Sequence, residues 1–229
     1  GYKIQPGKCS DSVSGGRFSF HDADKQLVED ENPPLVSSDG TPIRLMFRSS
    51  RISTHDIGRG VIPFKDQVLS GIHYRMLKLV EHVVGNSQFN IPRTRDNSIV
   101  IAAENLEAIK VENVLREYMA ESTTNTSLYQ AWTRGAKRFC GHPIPDGIKP
   151  FGKLDYIMDT PSTKRVKDSS RAPEFFFKHG IVTKDEYKYL RSVGIDAFVV
   201  AREYLRAIGV ILADTKLEHG RNSKGQILI

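Results

Sequence analysis

The segment 208–220 constrains the fold most, because an unbroken apolar run there passes directly into strict alternation of charged and other residues. In a β-strand, successive side chains point to opposite faces of the sheet. The pattern therefore predicts a buried strand that emerges with Asp214, Lys216 and Glu218 on one face, with neighbours about 7 Å apart. Acid, base and acid on one face favour a site that holds a metal cation together with an anion. A surface strand with solvated charges is the alternative.

The composition fits a globular protein of one or two domains, with 229 residues of which 39% are hydrophobic and 26% charged. The cysteines, Cys9 and Cys140, are too few and too far apart for a disulfide framework or a zinc motif, which fits a reducing cytosol. We find no apolar run of the length that a bilayer requires and no signal peptide. We therefore expect a cytoplasmic protein with no membrane partner.

The formal net charge of +6 suits either a nucleic-acid surface or a pocket for small polyanions. The basic residues are spread along the chain without a block of five or six, whereas clustering is the expected footprint of nucleic-acid binding. We therefore expect no nucleic-acid partner, and a basic nucleic-acid-binding module is kept as the non-enzymatic alternative.

Three polar blocks are candidates for binding phosphate. Lys8 follows a glycine, which lets backbone and ammonium approach a phosphate, although the chain has no P-loop pattern. Ser53 and Asp56 can bind phosphate or ribose hydroxyls, or can cap a turn. Arg116 and Ser122 combine a rigid guanidinium donor fork with a hydroxyl, which suits a phosphate.

The remaining pattern predicts an α+β protein. The first half reads as strands and one amphipathic helix, and the last part as mostly helical. The predicted elements are a hairpin over 2–20 with its turn at 14–16, strands at 43–47, 98–103 and 109–115, and helices at 67–84, 185–193 and 196–208. The sequence at 183–186 is typical of a capping box that opens the helix at 185–193, and Gly194 is predicted to end that helix. Because strands and helices are segregated rather than alternating, the α+β class is favoured over α/β. The apolar face of the helix at 67–84 is read as core packing, and whether it packs within one chain or between copies stays open.

The sequence Asp-Thr-Lys-Leu-Glu-His-Gly at 214–220 resembles the D-x-K-x-E-x-G signature of the phosphoribosylaminoimidazole-succinocarboxamide synthases, or SAICAR synthetases. Other blocks resemble this family in the same order along the chain. They are G-K-x-[KR]-D at 7–11, D-R-I-S-x-x-D at 50–56, V-V-R-x-x-x-x-G-S at 114–122, C-G-x-x-[LI]-P-x-G-[LI] at 140–148 and T-P-[ST]-T-K at 160–164. Glu121 stands where the family has glycine, so a phosphate site there requires its carboxylate to point away.

The resemblance implies a two-lobed SAICAR-synthetase-like α+β fold. A smaller N-terminal antiparallel sheet domain, 1–104, would cover ATP, and a larger C-terminal α+β domain, 105–229, would carry the substrate and metal sites, with the ATP cleft between them. The family's last segment, with an Asp-Glu pair and a further phosphate-binding arginine, would follow Ile229, so we expect the domain 105–229 to lack it.

The resemblance also implies a role for individual residues. The implied ATP-binding residues are Lys8, Glu104, Glu112 and Lys216. The implied substrate-binding residues are Arg116, Ser122, Ser53, Asp56 and Lys164. The implied ligands of Mg²⁺ are Glu218 and Asp214, and Asp214 is alternatively a residue that orients Lys216. The implied catalytic residues are Lys216, Asp214 and Asp168, the last as a candidate general base.

The implied activity is that of an ATP-dependent ligase of purine biosynthesis with ATP and Mg²⁺ as cofactors. It joins L-aspartate to the carboxylate of 5-amino-1-(5-phosphoribosyl)imidazole-4-carboxylate (CAIR), forming SAICAR, ADP and phosphate through an acyl phosphate. The implied partners are these small molecules, with homo-oligomerisation left open. A small-molecule kinase with a similar two-lobed ATP cleft is the enzymatic alternative.

Overall fold

The computed structural model describes residues 3–6, 10–14, 19–21, 27–29, 40–54, 57–88, 100–164 and 169–229. The chain divides into two compact units, and each takes residues from more than one part of the sequence. Unit 1 comprises Gly1–Lys78, Asn86–Leu106 and Asn222–Gln226, and unit 2 comprises Leu79–Gly85, Glu107–Arg221 and Ile227–Ile229. The predicted roles of 1–104 and 105–229 as functional domains stay predictions. No helix within the described ranges combines the length and the apolar character that crossing a membrane requires.

Unit 1 is built on antiparallel strands. Its strands are β1 (Lys3–Pro6), β2 (Ser10–Ser14), β3 (Ser19–His21), β4 (Leu27–Glu29), β5 (Ile43–Arg48), β6 (Arg51–Thr54), β7 (Ile57–Val61) and β8 (Val100–Glu104). One sheet has the order β1-β2-β5-β8, while β3 pairs with β4 and β6 with β7. The predicted hairpin across 14–16 is wrong, because β2 pairs with β1 on one side and β5 on the other. The strand predicted at 43–47 is confirmed as β5.

Helix α1 (Lys65–Val80) confirms the predicted helix, although it ends before 84. Asp66 in its first turn and Lys78 in its last turn complement the helix dipole. The prediction that its whole apolar face lies in the core is wrong. Val80 is buried at 6% exposure in an apolar cluster with α4, whereas Val68 and Ile72, about two to three turns earlier, are 58% and 54% exposed.

Unit 2 is a mainly antiparallel sheet with helices. Its elements are β9 (Glu107–Tyr118), α2 (Leu128–Thr133), β10 (Arg138–Phe139), β11 (His142–Pro143), β12 (Lys153–Asp159), β13 (Ser162–Thr163), α3 (Pro173–Lys178), α4 (Lys184–Ala207), β14 (Asp214–Arg221) and β15 (Ile227–Leu228). The sheet order is β12-β9-β14-β15, and β13 also pairs with β9. The long strand β9 is therefore the scaffold on which β12, β13 and β14 place their side chains.

Helix α4 shows both a confirmed and a wrong prediction. The capping box is confirmed, because the Glu186 amide donates to Thr183 Oγ1 (3.1 Å) and the Thr183 amide donates to the Glu186 carboxylate (2.8 Å). The predicted break at Gly194 is wrong, since the helix runs through it. Gly194 serves close packing instead: an added Cβ would lie 2.2 Å from Nδ2 of Asn113 on β9.

The segment 208–213 is not the buried strand that its apolar run predicts. Ile208 caps α4, β14 begins at Asp214, and Val210 and Ile211 are 46% and 69% exposed. The alternation that follows is confirmed, because Asp214, Lys216 and Glu218 are exposed on one face. His219, on the other face, is 3% exposed, and burial lowers its pKa to about 4, so the imidazole is neutral at pH 7.

Candidate functional site

A cavity of about 310 Å³ opens in unit 2 over the charged face of β9 and β14. Its charged lining residues are Glu112, Arg116, Asp214 and Lys216. Strand register explains why they meet: on the antiparallel strands, Asp214 lies opposite Arg116, and Lys216 lies opposite Val114, two positions along β9 from Glu112. Most other lining residues carry hydroxyl groups, so the cavity offers polar hydrogen-bonding groups and two cations.

Arg116 is fixed along two edges of its guanidinium group. Nη1 donates to Asp214 Oδ2 at 2.6 Å, and Nε donates to Thr160 Oγ1 at 3.1 Å. The side chain is 17% exposed, and burial lowers the pKa of Arg116 while the Asp214 carboxylate acts in the opposite direction. Within the described part of the chain, Nη2 has no hydrogen-bond partner. An arginine held in this way offers Nη2 as a fixed donor to an anion.

Lys216 belongs to a second network of alternating charge. Its Nζ lies 2.7 Å from Glu112 Oε1 and 3.1 Å from Glu218 Oε1. Glu112 is 5% exposed, and its other oxygen accepts the hydroxyl proton of Ser162 at 2.6 Å. Lys164 pairs with the other oxygen of Glu218. Two carboxylates therefore hold the Lys216 ammonium in place, and one of its three protons is left for a ligand.

Two serine hydroxyls at the cavity keep their proton for a ligand. Ser122 Oγ accepts from the Thr124 amide at 3.2 Å, and Ser127 Oγ accepts from the Gln130 amide at 3.2 Å as the N-cap of α2. Because each hydroxyl accepts a bond and, among the described residues, donates none, both can donate to an anion. Ser127 was not identified as a site residue from the sequence, because a serine at a helix N-cap is an ordinary structural feature.

Glu121 meets the requirement that its carboxylate avoid the cavity. It is not among the residues that line the cavity, and its Oε1 accepts a hydrogen bond from the Tyr129 hydroxyl at 3.3 Å. Gln130 Nε2 also donates to the backbone oxygen of Ser122 at 2.8 Å, which fixes the neighbouring turn. The acid in the family's glycine position therefore does not face the cavity.

The structure does not bring Asp214 and Glu218 together as ligands of one metal ion. Asp214 is paired with Arg116, whereas Glu218 is paired with Lys216 and Lys164, so the two carboxylates have different cation partners and their shared binding of Mg²⁺ stays a prediction. Asp214 is bound to Arg116 rather than Lys216, so its alternative role of orienting Lys216 finds no contact either. Among the described residues no group of three or more His, Cys, Asp or Glu side chains is placed to hold a metal. Glu218 alone fits as a single carboxylate ligand.

The structure describes the predicted site residues only in part. Lys8, Asp56, Asp168 and the side chain of Ser53 are outside the described residues, so their roles stay predictions. Glu104 lies in unit 1, where its carboxylate accepts from Asn222 Nδ2 at 3.2 Å. Glu112, Arg116, Ser122, Asp214 and Lys216 line one cavity, and Lys164 and Glu218 are joined to it by ion pairs.

Two of the predicted phosphate blocks in unit 1 are also in contact. Arg51 Nη2 donates to Asp11 Oδ1 at 2.9 Å, which joins the block at 50–56 to the block at 7–11. Both side chains are about half exposed, at 48% and 41%, so we expect this ion pair to contribute little to stability.

Solved structures share this fold. A SAICAR synthase from Saccharomyces cerevisiae complexed with SAICAR superposes with a TM-score of 0.73 and 19% identity, over 99% of this chain and 71% of that one. A type-2 SAICAR synthetase in complex with ADP has a TM-score of 0.70 and 16% identity, over 99% of this chain and 78% of that one. The predicted SAICAR-synthetase-like α+β fold is therefore confirmed, and the protein belongs to the class of α+β proteins with this fold.

Sequence comparison goes further than fold. The SAICAR synthetase family model matches residues 38–229. A phosphoribosylaminoimidazole-succinocarboxamide synthase from Legionella pneumophila (strain Lens) is 30% identical over 186 residues, which cover 81% of this chain and 58% of that protein. This chain belongs to the SAICAR synthetase family. It spans about half the length of the curated relatives that it matches.

Proposed function

We propose that the protein acts in purine biosynthesis as an ATP-dependent ligase that joins L-aspartate to the carboxylate of CAIR, yielding SAICAR, ADP and phosphate. The observation that carries the proposal is the cavity in which Arg116, Ser122 and Lys216 offer hydrogen-bond donors from fixed positions. Family membership and the ADP and SAICAR named for two relatives of the same fold support it.

The chemistry explains why such a site needs fixed cations. A carboxylate does not react with an amine, because its oxygen is a poor leaving group. Transfer of the γ-phosphoryl group of ATP to the carboxylate forms an acyl phosphate and ADP; the aspartate amine then attacks the acyl carbon, and phosphate leaves as the amine loses a proton. Phosphoryl transfer depends mainly on alignment and on positive charge around the transferred group.

The proposal assigns a role to each predicted site residue and to Ser127. Arg116, Ser122 and Ser127 would bind the 5′-phosphate of CAIR, because they line one cavity and have donors that an anion can use. Lys216 would bind an ATP phosphate, and Glu112 would hold Lys216 and reach the nucleotide ribose. Lys164 would lie near the substrate carboxylate. Ser53, Asp56, Lys8, Glu104 and Asp168 keep the roles that the family resemblance implies.

In this proposal Glu218 would be the carboxylate ligand of Mg²⁺. When bound, the ion would neutralise charge on the ATP phosphates. Glu218 would release Lys216 to bind the ion, and the Lys216 ammonium would then bind a ligand phosphate, whereas Asp214 stays with Arg116. We further propose a cytoplasmic location, with 1–104 covering ATP and 105–229 carrying the substrate site.

An assay of ADP release tests the reaction. With ATP, Mg²⁺, CAIR and L-aspartate present, we expect ADP to form and the mass of SAICAR to appear, and omission of either acceptor should abolish both. Lys216→Met should remove this turnover, while Lys149→Met, at an exposed lysine away from the cavity, should retain it. ADP formed equally fast without aspartate, with the phosphoryl group on a hydroxyl, would instead identify a kinase.

A further inference from the structure

Alternate residues of the segment 160–164 each contact a charged residue of the site. The segment runs antiparallel to β9, because the Thr160 amide donates to the Val114 carbonyl at 2.8 Å and Ser162 lies opposite Glu112. Side chains two residues apart therefore share a face. The contacts are Thr160 with Arg116, Ser162 with Glu112, and Lys164 with Glu218.

The Thr160 hydroxyl is fully committed within the protein. The residue is 0% exposed, and Oγ1 donates to the Val114 carbonyl at 3.2 Å while accepting from Arg116 Nε at 3.1 Å. A hydroxyl has one proton, so Thr160 has none left for a phosphate or a carboxylate. Its contribution to an anion site can only pass through Arg116.

The same accounting applies to Ser162, although it lines the cavity. The residue is 8% exposed, and its proton is donated to Glu112 Oε2 at 2.6 Å. The other oxygen of Glu112 holds Lys216 Nζ at 2.7 Å. Ser162 therefore fixes the carboxylate that fixes the lysine, and it cannot itself donate to an anionic ligand.

We propose that Thr160 and Ser162 are positioning residues: Thr160 orients the Arg116 guanidinium, and Ser162, through Glu112, orients the Lys216 ammonium. Arginine and lysine are long and flexible, so holding them before a ligand arrives removes part of the entropy cost of binding. The identity of the ligands rests on the proposed function, whereas the positioning is a property of the folded chain without ligand.

The first test measures positioning directly by ¹H–¹⁵N NMR of the arginine Nε–Hε and lysine ammonium groups in the ligand-free protein. We expect a slowly exchanging Arg116 Hε signal that Thr160→Val removes and Thr160→Ser keeps. We expect the Lys216 ammonium signal to be lost in Ser162→Ala and kept in Ser162→Thr. Arg116 and Lys216 signals that survive in Thr160→Val and Ser162→Ala would overturn the proposal.

The second test measures ligand binding by calorimetry. Thr160→Val should raise the Kd for ribose 5-phosphate by about tenfold, equal to about 1.4 kcal/mol, with little change for ADP. Ser162→Ala should raise the Kd for ADP by about tenfold, with little change for ribose 5-phosphate. A merely structural role would shift both ligands together in both variants, and that result would overturn the proposal.

Thr163→Val is the matched control. Thr163 is also buried, at 2% exposure, on the same segment, but its hydroxyl faces Ser169 rather than the charged residues. Thr163→Val should keep the Arg116 and Lys216 NMR signals, and both Kd values should stay within about twofold of the original. Loss of a signal or of affinity as large as in Thr160→Val would overturn the proposal. If the unsubstituted protein binds neither ligand while the NMR pattern holds, the proposed function fails and the positioning stands.

Discussion

At the scale of single residues, the cations of the cavity are balanced by carboxylates before any ligand arrives. Arg116 is paired with Asp214, and Lys216 with Glu112 and Glu218. Removing one member therefore also leaves its partner charge uncompensated, which is the larger part of the cost when the partner is buried. Substitutions in this site must be interpreted with that second effect included.

Arg116→Ala should weaken binding of the phosphate-bearing substrate by at least about tenfold, because it removes a charge-assisted donor and exposes the ligand to unpaired Asp214. The substrate KM measures this change. Arg116→Lys keeps the charge but loses the bond from Nε to Thr160, so its substrate KM should lie between those of the unsubstituted protein and Arg116→Ala. An unchanged KM in Arg116→Ala would contradict the role of phosphate anchor.

The variants Asp214→Asn and Glu218→Gln test whether Glu218 binds the metal while Asp214 only pairs with Arg116. With Mn²⁺ as the probe and ADP present, electron paramagnetic resonance should show binding weakened about tenfold or more in Glu218→Gln and within about twofold of the original in Asp214→Asn. The asparagine still offers an oxygen to Arg116. Equal losses in both variants would show that Asp214 is a metal ligand after all.

At the scale of elements, α4 depends on one glycine. In an exposed helix, Gly→Ala stabilises by up to about 1 kcal/mol, but at Gly194 the new methyl group would lie 2.2 Å from Asn113 Nδ2 and 3.2 Å from Leu115. Asn113 cannot withdraw easily, because that nitrogen donates to the Leu190 carbonyl at 2.7 Å. Gly194→Ala should therefore lower the free energy of unfolding by about 1–3 kcal/mol.

Urea unfolding at equilibrium measures this effect. Ser192→Ala, on the exposed side of the same helix, is the control and should change stability by less than about 0.5 kcal/mol. A Gly194→Ala variant as stable as the original would show that α4 can shift away from β9 without cost.

The elements also show where sequence patterns succeed and fail. The alternation along β14 and the capping box of α4 are local properties, so both are confirmed. Burial was wrongly predicted for the apolar run at 208–213 and for the first half of α1, because apolar character alone does not say which surface, if any, covers a segment. The helix end predicted at Gly194 was wrong because a glycine that ends a helix and a glycine that lets a neighbouring strand pack closely look alike in sequence.

At the scale of the whole molecule, the last residues of the chain serve both compact units. Asn222 donates to Glu104 within unit 1, while Ile229 N donates to the Gly85 carbonyl and β15 pairs with β14 within unit 2. A chain shortened to 1–221 loses all of these contacts. Its free energy of unfolding should fall by at least about 2 kcal/mol, measured by thermal and urea unfolding.

Ser223→Ala, in the exposed turn between these contacts, is the control for that truncation and should unfold as the unsubstituted protein does. If the shortened chain retains full stability, the contacts of residues 222–229 do not stabilise either unit.

The sequence by itself determined the charged face of β14, the occurrence of Arg116 and Ser122 in one phosphate-binding block, the α+β class and the family. These features depend on periodicity, on the chemistry of neighbouring residues and on the order of the blocks, all of which are properties of the sequence. Tertiary structure decided which charges meet. Arg116 and Asp214 are 98 positions apart, and Glu112 and Lys216 are 104 apart. Strand register sets those contacts, and it depends on the packing of the whole sheet rather than on any local pattern.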